Sequence, residues 1–146
     1  HDRVLVPGDG DALWHLVAVE NVTRALRTVA EEGQPGAAYN VGDRRLFPLE
    51  EFVETVADAA GTEVETVTAS PRELEGTAVD PDTIPYYRRY PHVLSTGRLT
   101  SLGWEAVEAP TAVRDTVAAT LEGGPEPADG VPDPAEERRA IDAATE

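Results

Sequence analysis

The amino-acid sequence predicts a mixed α/β fold with short strands and three main helices. Runs rich in β-branched residues alternate with stretches whose apolar side chains recur at helical spacing, and Gly or Pro separates most of them. The chain has 146 residues, 40% of them apolar, which is enough for one hydrophobic core. Because cysteine is absent, disulfides and thiolate metal ligands are excluded.

The N-terminal region predicts two strands followed by a helix. RVLVPG, residues 3–8, is a β-branched run that Pro and Gly end, and residues 13–19 follow a DGD turn as a second strand. Asn21 is expected to cap a helix that ends at Gly33. One face of this helix carries apolar residues at helical spacing: Val22, Ala25, Leu26, Val29 and Ala30.

Residues 37–69 predict a strand, a helix and another strand. AAYNVG, residues 37–42, is the third strand. Pro48 suits the first turn of the second helix and Gly61 its end. The buried stripe of this helix comprises Leu49, Phe52, Val53, Val56, Ala57 and Ala60. Residues 63–69 alternate apolar and polar side chains, as a strand with one solvent-exposed face does.

The remaining sequence is less regular. Residues 71–92, rich in Pro, Asp and Arg, predict an irregular segment, and a short helix near residues 97–101 precedes the LGWEA turn. Trp104 of this turn is expected to pack under a last helix that ends at Gly123-Gly124. We place the domain boundary at residue 122 and interpret residues 123–146 as a largely disordered, acidic and Pro-rich tail with a weak helix in PAEERRAIDAA. The last helix presents Val113, Val117 and Leu121 on one side.

The charge of the chain is strongly unbalanced. Asp and Glu total 28 against 12 basic residues, all of them Arg, which gives a net charge of −16. Such a chain repels phosphate backbones and anionic lipids, so nucleic-acid and membrane binding are disfavoured. Dense carboxylates with Arg in place of Lys favour a halophilic protein adapted to molar salt; the alternative is a mildly acidic mesophilic protein with a charged tail. The acidic pairs Glu50-Glu51 and Glu136-Glu137 are interpreted as solvated faces.

The apolar pattern and the N-terminal sequence indicate where the protein is located and whether the chain is a piece of a longer one. No apolar run approaches the roughly 20 residues that span a bilayer, and no charged-then-apolar leader opens the sequence. We therefore expect a soluble, cytoplasmic protein. Methionine is absent and the chain opens at His1 directly before a strand, so we interpret it as a piece of a longer protein.

The order of the motifs resembles the extended short-chain dehydrogenases, the NAD-dependent epimerase/dehydratase family. The matching run extends from VPGDG and LWHLVAVENVTRAL through YNVG to STGRLTSLGWEA. Members of this family show an acidic helix start that contains Asp, a strand ending in YNVG, and a Lys-x-x-x-LGW segment. The resemblance covers nearly all of residues 3–121.

The resemblance implies that the chain is the C-terminal, substrate-side lobe of an NAD(P)-dependent epimerase, dehydratase or reductase. In the family, an upstream Rossmann domain holds NAD or NADP on a Gly-rich loop and supplies a Tyr-x-x-x-Lys pair, and this sequence contains neither motif. We therefore expect residues 1–146 alone to be inactive and to bind no cofactor. The implied partners are a small-molecule substrate, commonly a nucleotide sugar, the upstream domain and a second copy of the intact protein.

Four departures from the family pattern leave a second class of function open. A gapless comparison puts Trp14 where many nucleotide-sugar enzymes have an Arg, Ala18 and Asn21 where the family has His and Asp, and Arg98 where it has Lys. An atypical member could therefore be a non-catalytic, dinucleotide-sensing regulatory or interaction protein. The upstream Tyr-x-x-x-Lys pair distinguishes the two.

No catalytic or metal-binding residue is predicted in this chain, and four residues are candidate substrate ligands. His15 and His92 are too far apart in sequence, without a third ligand, to indicate a metal site. Arg forks recognise phosphate and carboxylate, but those of YYRRYPH, residues 86–92, could equally pair with the abundant carboxylates of the chain. Arg44 and Arg45 are expected in a solvent-facing turn. The candidate ligands are Arg88, Arg89, Trp14, which could instead pack in the interior, and Asn40, which could instead satisfy a turn.

Overall fold

The computed structural model describes residues 2–79, 90–124 and 133–145. These residues form two separate two-stranded sheets surrounded by helices. In chain order the strands are β1 (Arg3–Pro7), β2 (Leu13–Trp14), β3 (Phe47–Pro48) and β4 (Glu65–Ala69). The helices are α1 (Val19–Glu32), α2 (Leu49–Ala60), α3 (Gly97–Thr100), α4 (Ala109–Gly123) and α5 (Pro134–Thr145). The mixed α/β class is confirmed, and the five helices of the described residues are the three main helices expected, the short helix α3 and the tail helix α5.

The first sheet is parallel and is covered by the last helix. β1 pairs with β4, in a register that sets Arg3 opposite Glu65. Helix α5 packs against both strands. Its Ala140 joins an apolar cluster with Ala69 of β4. Parallel sheets are usually covered by helices, and α5 provides part of that cover here. The cluster comprises Ala69, Leu74, Val79 and Ala140, with Leu5 and Ala144 packed against it.

The second apolar cluster lies between α1 and α3. Ala25, Leu99 and Trp104 are buried in it, so Trp104 packs under α1 and not, as expected, under the last helix. The indole is fixed by its Nε1–H, which donates to the backbone oxygen of Asn21 at 3.2 Å. The half-buried side chains around the cluster are Val29, Tyr39, Val41 and Ala106.

Helix α2 matches its prediction because its signals are local. It runs from Leu49 to Ala60, and Gly61 ends it in the left-handed conformation with φ of 70°, which favours glycine. Phe52 turns one face toward the second sheet, where its ring lies 5.8 Å from that of Phe47. The opposite side of the element packs on α4. The β4 strand and α3 are also confirmed, within two residues of their expected bounds.

Two expected strands are wrong, and so is the predicted cap of α1. The second strand ends at Trp14, because only Leu13 and Trp14 find partners on β3. Residues 37–42 form no strand, since no described segment pairs with them. Helix α1 begins at Val19 with Ala18 as its N-cap. Asn21 is instead buried inside the first turn, where its side chain makes long-range contacts.

Parts of the acidic pairs and of the tail pack against the rest of the chain and are not fully solvated. Glu50 is half-buried and accepts a hydrogen bond from Thr66 Oγ1 at 2.6 Å. Glu137 lies beside β1, with Oε1 3.5 Å from the Leu5 N–H. The predicted weak helix in the tail exists as α5, and it buries Ala140 and Ile141. Residues 125–132 lie outside the described part of the chain.

Candidate functional site

A cleft of about 250 Å³ opens between the turn that follows residue 43 and the segment that leads into α4. Arg44 and Arg45 form one wall, and residues 106–109 form the other. Both arginines are exposed, whereas Ala109 is buried at the start of α4. The cleft therefore combines positive side chains, a short apolar surface and the first turn of a helix.

Asn21 connects the two walls of this cleft from below. Its side chain is completely buried. The amide Nδ2 donates to Asp43 Oδ1 at 2.7 Å on one wall and lies 3.3 Å from the Val107 carbonyl on the other. The amide Oδ1 accepts the Val107 N–H at 2.8 Å. One buried amide thus holds residues of three separate segments in fixed positions, because buried polar groups must retain their partners.

His15 extends the same network toward residues 90–96. Its Nδ1 accepts the Leu94 N–H at 2.9 Å, so the ring proton resides on Nε2, which donates to the Asp43 carbonyl at 2.8 Å. Gly42 makes this contact possible, since a Cβ at this position would lie 2.5 Å from Nε2. The histidine is half-buried, and both of its ring nitrogens are engaged in hydrogen bonds.

The two arginines of the cleft have different surroundings. Arg45 pairs with Glu51, and its guanidinium carbon lies 4.7 Å from the centroid of the Phe47 ring. Arg44 makes no hydrogen bond or ion pair with any described residue. Glu108 places one carboxylate in the lining. Both arginines are exposed, as expected for a solvent-facing turn, but this turn also borders a cleft.

Two of the four predicted substrate ligands lie in described parts of the chain, apart from the cleft. Trp14 is half-buried on β2, with its ring centroid 5.4 Å from that of Phe52. Asn40 is exposed and donates from Nδ2 to the Ser95 carbonyl at 3.1 Å. Arg88 and Arg89 lie outside the described residues. Within the described ranges no group of three or more His, Asp and Glu side chains is placed to hold a metal ion.

Sequence reasoning missed the cleft because its parts come from distant segments. Asn21 and Val107 are 86 positions apart, and no periodicity connects them. One signal was available: Asn21 stands where the resembled family has Asp, which marks position 21 as unusual but does not identify its partners.

The overall architecture is similar to that of a known NADPH complex. The chain superposes on the structure of RMD from Pseudomonas aeruginosa complexed with NADPH, with a TM-score of 0.63 and 22% sequence identity. The similarity covers 85% of this chain and 37% of the RMD chain. No protein-family model matches the sequence, and no curated protein matches it either. The comparison therefore establishes a fold shared with part of a larger, NADPH-bound protein.

None of the helices in the described ranges is long and apolar enough to cross a membrane.

Proposed function

We propose that this chain is the substrate-side lobe of an NAD(P)-dependent epimerase, dehydratase or reductase that acts on a nucleotide sugar or related small molecule. The observation that supports it is the fold shared with RMD, which spans most of this chain but only 37% of that one. The remainder of such a protein would then contain the residues that hold the dinucleotide.

The described residues do not fit the pyrophosphate of a dinucleotide. The one glycine-rich turn that follows a strand here, residues 8–11, leads from β1 into β2 and not into a helix N-terminus. The turn contains Asp9 and Asp11, and a Cβ at Gly10 would lie 3.2 Å from the Glu50 carboxylate. Such an acidic turn repels phosphate, whereas dinucleotide sites use glycine amides and a helix dipole. We therefore propose that residues outside this chain hold the cofactor.

The candidate substrate ligands remain part of the proposal. Asn40 and Trp14 lie on the lobe with their polar or aromatic groups partly accessible. Replacing Arg88 or Arg89 by Ala in the intact protein should lower kcat/KM for a phosphate-bearing substrate by roughly one to two powers of ten, because each removes a charge-assisted hydrogen bond. A loss of thermal stability with unchanged affinity would instead make both residues structural partners of carboxylates.

Calorimetry with NADPH and NADH tests the assignment of the lobe. The protein expressed from the complete reading frame should bind one of them, and residues 1–146 alone should bind neither. Micromolar binding by residues 1–146, or no binding by the complete protein, would contradict the proposal. A Tyr-x-x-x-Lys pair in the upstream sequence supports an enzyme, and its absence supports a dinucleotide-sensing regulatory protein.

A further inference from the structure

We propose that the cleft between Arg44 and residues 106–109 is a binding site for a small phosphate-bearing anion. Arg44 carries a permanent charge and a planar fork of donors suited to phosphate oxygens. Every described carboxylate that forms an ion pair does so with another arginine, which leaves the Arg44 donors available. Arg45 adds a second positive group that the Glu51 carboxylate and the Phe47 ring hold in place.

The electrostatics of the cleft differ from those of the chain. The lining contains two arginines and one carboxylate, that of Glu108, whereas the whole protein has a net charge of −16. A phosphate approaching this acidic molecule is repelled over most of its surface, and Arg44 offers it a guanidinium that no described carboxylate pairs with. The opposite wall is the start of α4, where Pro110 has no N–H and the N–H groups of Thr111 and Ala112 both donate to the Glu108 carbonyl. This wall therefore gives the cleft its shape, and the arginines supply its donors.

The walls of the cleft are preorganised. The Asn21 amide is bonded to Asp43, which immediately precedes Arg44, and to both backbone groups of Val107. A ligand bridging the walls therefore does not have to order them on binding, which reduces the entropic cost. The volume of about 250 Å³ is below the roughly 300 Å³ at which pockets for drug-sized ligands begin. It suits a phosphate or diphosphate group rather than a whole nucleotide.

This site can be tested by NMR. The isotopically labelled 146-residue chain is titrated with inorganic pyrophosphate at low ionic strength. Backbone amide resonances of residues 106–109 should shift with a single saturating curve. Arg44→Ala should weaken the affinity about tenfold or more, since it removes a charge-assisted contact. Arg114→Ala is the matched control, because Arg114 is an exposed arginine further along α4, away from the cleft.

Three results would overturn the proposal. The first is pyrophosphate shifts that are spread over the arginines of the whole surface, and the second is an equal loss in Arg44→Ala and Arg114→Ala. The third is loss of the shifts in an Arg88→Ala/Arg89→Ala variant that leaves Arg44 intact. That the bound phosphate belongs to the substrate rests on the proposed function. The titration contains no cofactor, so its failure leaves the calorimetric test unaffected, and the reverse also holds.

Discussion

At the scale of single residues, the structure explains why residue 21 is an amide. The Asp43 carboxylate lies 2.7 Å from the Asn21 amide nitrogen in a buried position. An Asp at position 21, which the resembled family carries, would bring two carboxylates together in a low-dielectric environment. Asn21 donates where that second carboxylate could not, and it satisfies Val107 with its oxygen.

We therefore predict that Asn21→Asp destabilises the protein at pH 7 and less so in acid. At neutral pH two facing carboxylates repel each other, and the variant should lose about 2–4 kcal/mol of unfolding free energy. Repulsion raises the pKa of the pair in the folded state, so the loss should diminish as pH falls and one carboxyl binds a proton. Urea unfolding of both proteins from pH 7 to 4.5 measures this. A deficit that stays constant with pH would contradict carboxylate repulsion.

Gly42 gives a second prediction at this scale, because its need for glycine is steric. The added Cβ of Gly42→Ala would lie 2.5 Å from His15 Nε2, so the variant should lose about 1–3 kcal/mol of unfolding free energy. In a His15→Ala background the ring is gone, and Gly42→Ala should then cost much less. Chemical unfolding of the double-mutant cycle gives the coupling. Additive effects would show that the ring is not the obstacle.

At the scale of elements, a helix or strand could be predicted where the residues that determine it lie close together in sequence. Helix α2 could be assigned from Pro48, its apolar stripe and Gly61, all within 14 residues. Strands require a partner elsewhere in the chain, so the local pattern of residues 37–42 was insufficient to predict one. In the same way, α5 looked weak as an isolated helix, and burial against β1 and β4 stabilises it.

The turn after β4 provides a prediction about pH. The Ser70 hydroxyl and backbone N–H donate to Glu73 Oε2 at 2.7 and 2.8 Å, and they hold the pKa of Glu73 below its ordinary value. Ser70→Ala removes the larger contribution, so the pKa of Glu73 should rise, as carbon-detected NMR titration of the carboxyl can measure. The lowered pKa stabilises the turn above the unfolded pKa, and this stabilisation is lost as pH falls through the folded pKa.

Ser70→Thr is the control for this prediction, because it keeps a hydroxyl at the same position. The pKa of Glu73 should remain low in that variant. An equal rise in both variants would show that the hydroxyl does not act on the carboxylate.

Helix α5 should contribute to the stability of the whole fold. Ile141 is 2% exposed, and Ile141→Ala should lower the unfolding free energy by about 2–4 kcal/mol because it leaves a cavity in the interior. Ala143 is exposed on the same helix, so Ala143→Ser should have little effect. Urea unfolding monitored by tryptophan fluorescence compares the two. Similar small effects would mean that α5 does not pack on β1 and β4 in solution.

At the scale of the whole molecule, the net charge of −16 predicts stabilisation by salt. Raising KCl from dilute buffer to about 1 M shortens the Debye length to roughly 3 Å and removes self-repulsion. The exposed i,i+4 pairs Arg24–Glu20 and Arg27–Glu31 contribute little, so their screening should not offset this gain. The midpoint of thermal unfolding should therefore rise. An unchanged or lower midpoint would contradict adaptation to salt.

A variant with fewer charges separates screening from general effects of salt. Glu32, Glu54 and Glu105 are exposed and form no ion pair with described residues. Replacing all three by Gln should raise the midpoint in dilute buffer and change it little in 1 M KCl. A gain of equal size at both salt concentrations would point to helix propensity or another local cause.

The site could be predicted less well than the fold, because it depends on how distant parts of the molecule come together. The order of the motifs predicted a mixed α/β fold, and the chain shares its fold with part of RMD. The cleft needs Arg44 and Val107 on facing walls, and only the tertiary structure brings them together. Charge alone could not rank Arg44 above the other arginines, because partners such as Glu51 are not visible in sequence.

The distant pairing of β1 has a consequence for the order in which the chain acquires its structure during synthesis. β1 pairs with β4, 62 positions later, and Leu5 approaches Glu137, which is 132 positions later. A ribosome delivers the chain from its N-terminus, so this strand leaves the exit tunnel long before either neighbour exists. Helices α1 and α2 can form from local contacts in the meantime. The β1–β4 pair can form once β4 has been released, but α5 can cover it only after residue 145 has left the ribosome, so the packing of this sheet is completed last among the described elements.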